Sequence, residues 1–269
     1  MDLIDSHAHL TDPAFDADRD ELIAQKLPAA QLRASVEIGC APNEWQDTLN
    51  LAQKYPGYII PVLGVHPEYA SQFADTQAEQ LCTLLKNPQV AAVGEIGLDD
   101  TCLQEADKET QRRLFCQMLS YADQTRLPIV LHVRRQGEDF TVYEECFSLL
   151  KEYWKQQVSR PFSGVLHCFC AQYPEAKKAL DQGLLLGING CFTYKKNEYI
   201  RETVKKVGVR NIILETDCPY LSPQGKRGTR NDPSNIPLIA QFVADYVDMP
   251  LEELAEITTR NAKLLYDLP

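Results

Sequence analysis

The sequence has no CxxC pair, no apolar stretch long enough to span a membrane, no low-complexity tract and no Gly/Ser linker. Each absence narrows the reading. Nine cysteines (Cys40, Cys82, Cys102, Cys116, Cys146, Cys168, Cys170, Cys191, Cys218) are odd in number and scattered, which favours reduced thiols and a cytoplasmic setting over a disulfide framework. The opening Met1-Asp-Leu-Ile-Asp-Ser-His7 has no basic region and too little apolar length for a signal peptide, so export is not expected. With no linker and no residue-level repeat, a single domain over residues 1–269 is the simpler expectation. Excess positive charge is missing too. Lys plus Arg is 27 against 38 Asp plus Glu, a net charge of −11 that repels a polyanion at long range, so any phosphate binding must be local and strong. Core size does not limit folding: a chain of 269 residues, 44% hydrophobic, can bury roughly three quarters of its extended surface without a structural metal.

What recurs is an apolar run followed by an amphipathic stretch. The runs are Leu3–Asp5, Ala34–Ile38, Tyr58–Leu63, Val90–Val93, Pro128–Leu131, Ser163–Leu166, Leu184–Ile188 and Asn211–Leu214. Most lack polar alternation, as parallel strands buried on both faces do. Between them, a helix is expected to start near Asn43, capped by it with Gln46 three residues on, and to turn Trp45, Leu49, Leu51 and Ala52 inward. Another is expected over about 109–124, with Leu114, Phe115, Met118, Leu119 and Ala122 as its apolar stripe, and a last one over about 251–265 after Pro250. Eight strand–helix alternations predict an α/β fold, the (β/α)8 TIM barrel or a distortion of it, with Pro28 and the second strand as its weakest part.

All five histidines, His7, His9, His66, His132 and His167, fall at the carboxyl ends of apolar runs, where barrel enzymes keep their chemistry. Glu95 and Asp217 fall in the same kind of place. His7 and His9, one residue apart on a strand, project from one face as two ligands of one metal must; Asp5, one step earlier on that face, could orient a ligand. Glu95 lies between Gly94 and Gly97, which permit close approach of backbone and ligand. Asp99 reads as an orienting or helix-start residue, Glu215 as a deeper structural group, and Cys168 as turned away from the site. His7, His9, Glu95, His132, His167 and Asp217 are six candidate ligands, more than one tetrahedral ion needs, and two ions bridged by a carboxylate fit better. Lys226-Arg-Gly-Thr-Arg230 is a basic cluster with no acid within it, after the last strand, where barrels often bind phosphate. Arg134 and Arg135 beside His132 could clamp a phosphate. Tyr194, Lys195 and Lys196 fit stacking and charge, or equally a helix start.

In order along the chain, these segments resemble the TatD-related metal-dependent deoxyribonucleases, a branch of the amidohydrolase superfamily. Asp5-Ser-His-Ala-His-Leu10 resembles DxHxHL, Gly64-Val-His-Pro67 resembles GxHP, and Gly94-Glu-Ile-Gly-Leu-Asp99 resembles GEIGLD. His132-Val-Arg134 resembles HxR, His167-Cys-Phe169 resembles HCF, Glu215 to Leu221 resembles ETDxPYL, and Arg227 to Pro233 resembles RGxxNxP. The resemblance implies His7, His9, Glu95 and Asp217 around one ion, Glu95 bridging to a second held by His132 and His167, and His66 contacting substrate. Two departures, Asp100-Thr101 after Asp99 and Cys170-Ala171 after the HCF element, bear on substrate preference.

The expected activity is metal-assisted hydrolysis of a phosphodiester, stepwise from a DNA end. Two divalent ions (Mg, Mn or Zn) would serve it, with Asp217 handling the water's proton, Glu95 holding the ions, and His66, Arg134, Arg227 and Arg230 on the substrate. An ester or amide hydrolase with the same ligands is the second reading, and a metal-bound interaction module without turnover the third.

Overall fold

The computed structural model describes residues 2–156 and 158–269. Its strands are β1 (Leu3–Ala8), β2 (Leu32–Gly39), β3 (Ile59–Leu63), β4 (Ala92–Asp99), β5 (Ile129–Arg134), β6 (Gly164–Leu166), β7 (Leu184–Ile188) and β8 (Ile212–Leu214). They form one eight-stranded sheet in chain order, every neighbouring pair parallel. Backbone bonds bring its ends together: the Asp217 N–H donates to the His7 carbonyl and the His9 N–H to the Cys218 carbonyl, both at 2.9 Å. All eight expected runs are strands, and the architecture is the (β/α)8 barrel.

The helices follow strand by strand. After β1 come α1 (Arg19–Glu21), a π turn (Leu22–Lys26) and α2 (Leu27–Ala29); then α3 (Trp45–Lys54), α4 (Asp75–Leu84), α5 (Lys108–Thr125), α6 (Thr141–Tyr153), α7 (Tyr173–Asp181) and α8 (Glu198–Val207). α9 (Ile236–Val247) and α10 (Leu251–Tyr266) close the chain. The π turn leads into Pro28, which has no N–H to give and whose ring would crowd an α-helical turn before it. Pro28 sits inside the short α2, and beyond it β2 runs eight residues, so the strand is intact.

The start expected at Asn43 is displaced. α3 begins at Trp45 after Glu44, whose Oε2 accepts from the N–H groups of Cys40 and Ala41 at 2.9 and 3.1 Å, while Gln46 reaches along the helix to Asn50. The expected Asn43/Gln46 cap is not formed; the Glu44 carboxylate instead ties down the turn that leads into the helix. The inward residues hold: Trp45, Leu49, Leu51 and Ala52 are buried, as are all five expected along α5.

Side chains from the barrel interior (Ile4, Val36, Ile60, Val62, Val130, Val165, Leu185, Ile213) pack with Leu265 and Tyr266 of α10. Alternate strand residues, among them Leu3, Ile59, Leu131, Leu186 and Leu214, pack outward against the helices, which is why these strands read as nearly continuous apolar runs. The parallel registers slip between Leu3 and Ile4 and between Asp5 and Ala8 on β1, and between Gly94 and Ile96 on β4. The last two irregularities enclose His7 and Glu95, and such slips re-aim side chains.

Candidate metal centre

Six of the eight strands contribute their carboxyl ends. His7 lies on β1, Glu95 and Asp99 on β4 and His132 on β5, while His9, His66, His167 and Asp217 follow β1, β3, β6 and β8 directly. Asp217 adopts φ +57, a left-handed conformation that Asp tolerates better than most residues. Gly94 and Gly97, expected to open space for a ligand, instead admit the neighbouring strand. A Cβ on Gly94 would lie 2.5 Å from the Val130 Cβ, and one on Gly97, at φ +147, 1.8 Å from the His132 carbonyl oxygen.

The six candidate ligands converge in two groups that share Glu95. Its Oε2 lies 3.4 Å from His7 Nε2 and 4.0 Å from His9 Nε2; Asp217 Oδ1 is 3.7 and 3.5 Å from the same two nitrogens, which are 3.2 Å apart. Its Oε1 lies 2.6 Å from His132 Nδ1 and 2.8 Å from His167 Nε2, themselves 3.2 Å apart. Lone pairs of imidazole and carboxylate thus crowd two small volumes, an arrangement that suits divalent cations. The residues therefore fit a metal centre.

Support lies one step out. His132 Nε2 pairs with Asp99 Oδ2 at 3.0 Å, while Asp99 Oδ1 accepts from the Thr101 N–H and hydroxyl. This is the carboxylate–histidine pairing that fixes a ligand's tautomer, and it gives the Asp100-Thr101 departure a local use. Asp5 is fully buried and accepts from the Thr216 N–H and hydroxyl at 2.8 and 2.5 Å. It also accepts from the His7 N–H at 3.3 Å, so it ties the β1 residue His7 to the β8 end that carries Asp217. Cys168 contributes its backbone N–H to Glu215.

Electrostatics follow from this packing. Burial opposes ionisation of Glu95, but His167 and His132 outweigh it and hold the carboxyl well below its ordinary range. Burial lowers His9, yet the hydrogen bond and charge of Asp217 raise it to about 9. His66 moves the other way, to about 3, through burial and then the charge of His132. Asp99 is held at about 2, its burial outweighed by the His132 bond. Burial pushes Asp5 up to about 8.

His66 stands beside the second group, its Nε2 3.9 Å from Glu95 Oε1, and its Nδ1 accepts from the Glu68 N–H. Arg134 is exposed at the end of β5. Arg227 is exposed, its guanidinium 4.8 Å from the Tyr194 ring. Tyr194 itself is buried and bonded through its hydroxyl to the Ser222 carbonyl, so it supports the loop. Arg230 differs from expectation. Two guanidinium nitrogens hold both Asp18 oxygens at 2.7 Å, one of them also donates to the Ala14 carbonyl, and the group lies over Phe15. The acid that pairs with it comes from the loop after β1.

Sequence reading passed over Tyr220. It is 56% exposed, with its ring centroid 6.3 Å from that of His9. Buried Asn231 bonds the Thr216 and Tyr220 carbonyls at 3.0 and 2.6 Å, fixing the turn that carries both Asp217 and this ring. The available signal was an aromatic residue three places after a ligand.

Comparison with known proteins agrees with this geometry. The TatD related DNase family model matches residues 4–267. The chain is 30% identical over 264 residues to an uncharacterized metal-dependent hydrolase, YabD, of Bacillus subtilis, covering 98% of each. It is 33% identical over 271 residues to the 3'-5' ssDNA/RNA exonuclease TatD of Erwinia tasmaniensis, covering 99% of this chain and 100% of that one. Among solved structures, the TatD homolog YjjV of Escherichia coli superposes with a TM-score of 0.88 at 27% identity, covering 99% and 98% of the two chains. The barrel, its converging ligands and these likenesses make the chain a member of the TatD related DNase family of metal-dependent hydrolases.

Proposed function

We propose that the protein hydrolyses phosphodiester bonds stepwise from the end of a DNA strand, using two divalent ions. His7, His9, Glu95 and Asp217 would hold one ion, and Glu95, His132 and His167 the other. The observation that carries this reading is the division of Glu95, one oxygen toward each group. Bound there, the ions would lower the pKa of water and neutralise charge on phosphoryl oxygens. Mg, Mn and Zn all suit phosphoryl chemistry or this donor set.

The chain's own residues supply the rest. Asp217, on the solvent side of the first group, receives or orients the proton of the attacking water. His66 contacts the scissile phosphate beside the second group. Arg134 and Arg227 hold flanking phosphates locally, which a net charge of −11 makes necessary. Arg230 acts mainly as a loop clamp on Asp18. Tyr220 gives the terminal base a face on which to stack, an interaction that an unpaired strand offers more readily than a duplex. The named activity of the Erwinia relative, on ssDNA and RNA, supports a nucleic-acid substrate. Among the described residues no helix is long and apolar enough to cross a membrane, and all nine cysteines are free; we read the enzyme as cytoplasmic.

The test is a substrate panel with metal-reconstituted protein: end-labelled single- and double-stranded DNA, RNA, and small esters, lactones and amides. Stepwise shortening of single strands is expected. Activity on esters or amides with none on oligonucleotides would replace this reading by the second one, and metal binding with no turnover across the panel by the third.

A further inference from the structure

We propose that Glu215 is a positioning residue shared by both metal groups, serving as the common acceptor for the Nδ1–H of His7 and of His167. The proposal rests on the two-metal reading. Glu215 is fully buried, and its Oε1 accepts from the Cys168 N–H at 2.6 Å and the Asn189 amide at 3.2 Å. Its Oε2 has no partner, and neither do His7 Nδ1 and His167 Nδ1, all three atoms being buried. One ring nitrogen from each histidine and one Glu215 oxygen lie within 4.8 Å of one another.

Ring geometry explains the convergence. The His7 and His167 imidazoles stack at 3.9 Å with 13° between planes, and the Nε2 of each faces Glu95. Both Nδ1 atoms therefore point away from Glu95, deeper into the barrel. An imidazole that offers its Nε2 lone pair to a cation carries its proton on Nδ1. Two such N–H groups in a dry interior are costly without an acceptor. Glu215 is the carboxylate at hand. Its Oε1 stands 3.7 Å from His167 Nδ1, about half an ångström beyond hydrogen-bond distance.

The seat for this carboxylate is cut into β7. A Cβ on Gly187 would lie 2.2 Å from Glu215 Oε2 and 2.7 Å from its Cδ, so only glycine leaves the carboxylate where it stands. Asp99 does the corresponding work for His132 alone.

The test compares Glu215→Gln with Asp99→Asn by titrating metal-free protein with Mn(II) and with Zn(II), following heat and stoichiometry. A glutamine keeps the acceptor for Cys168 but turns an N–H toward the two imidazoles. Glu215→Gln is expected to weaken both binding steps by about 10- to 100-fold, with the thermal midpoint of the metal-free protein unchanged, whereas Asp99→Asn weakens one. An unchanged step in Glu215→Gln overturns the shared role. If that variant fails to fold, nitrogen-15 NMR of the metal-loaded wild type decides. His7 and His167 must both show exchange-protected Nδ1–H signals, and exposed or absent protons there refute the proposal. A wild type that takes up only one ion would refute the two-metal reading instead.

Discussion

The Arg230 guanidinium holds both carboxylate oxygens of Asp18 at 2.7 Å, tying the loop after β8 to the loop after β1. The pair is about a quarter exposed, so screening leaves it worth on the order of 1 kcal/mol. Arg230→Ala should lower the thermal midpoint by a few degrees and leave the salt dependence of DNA binding nearly unchanged. Arg227→Ala should do the reverse, reducing the slope of log K against log salt by about 0.7 on single strands. Calorimetry and a salt titration of oligonucleotide binding separate the two, and an unaltered slope in Arg227→Ala would remove that residue from the phosphate path.

Glu95 points one carboxylate oxygen toward each group of ligands. Glu95→Gln should weaken both metal-binding steps by more than the roughly 10- to 100-fold that loss of an outer partner costs, and cut nuclease activity at least as far. Metal analysis after dialysis checks this; two ions retained at wild-type affinity would contradict it.

Metal uptake should release protons. In the metal-free protein Asp217 holds His9 at about 9, above its ordinary 6.5, so the ring is protonated near neutrality and must lose that proton to bind. Affinity should therefore climb as pH rises toward about 9. The linked stability has the opposite sense: His9 stabilises the metal-free fold fully below pH 6.5, and that contribution is lost as pH rises through about 9. Titration calorimetry at pH 7 in buffers of different ionisation heat measures the release, and a buffer-independent heat would count against it.

Gly187→Ala forces a methyl against Glu215. Overpacking of this kind costs about 1–3 kcal/mol, and displacement of the carboxylate should weaken both metal steps together. A denaturant series with a metal titration tests the coupling; lost stability with both affinities intact would show that Glu215 had not moved.

The strands were legible because a parallel barrel buries both faces of each strand, which leaves Val, Ile and Leu in nearly continuous runs. The ligands were legible because chemistry at strand ends leaves histidine or a carboxylate where an apolar run stops. Contacts between loops were not. Asp18 and Arg230 lie 212 residues apart, and nothing local marks their pairing. Glu215 looked structural because its sequence neighbours give its depth but not the two unpartnered imidazole nitrogens near it. The displaced start of α3 has a similar cause: Asn43 and Gln46 are sound capping types, but the turn before the helix is held by Glu44 accepting from the Cys40 and Ala41 N–H groups. Asp99 found its partner in His132 on the neighbouring strand β5, a relation that only the folded barrel supplies.

The most direct measurement of the central claim is the rate at which metal-reconstituted protein shortens an end-labelled single strand, beside Asp217→Asn loaded with the same metal. The wild type should release nucleotides one at a time. The variant should still bind the strand but lose activity by about a hundredfold or more, the scale on which a proton-handling group contributes. Equal rates in the two proteins would contradict the role of Asp217 and the mechanism built on it.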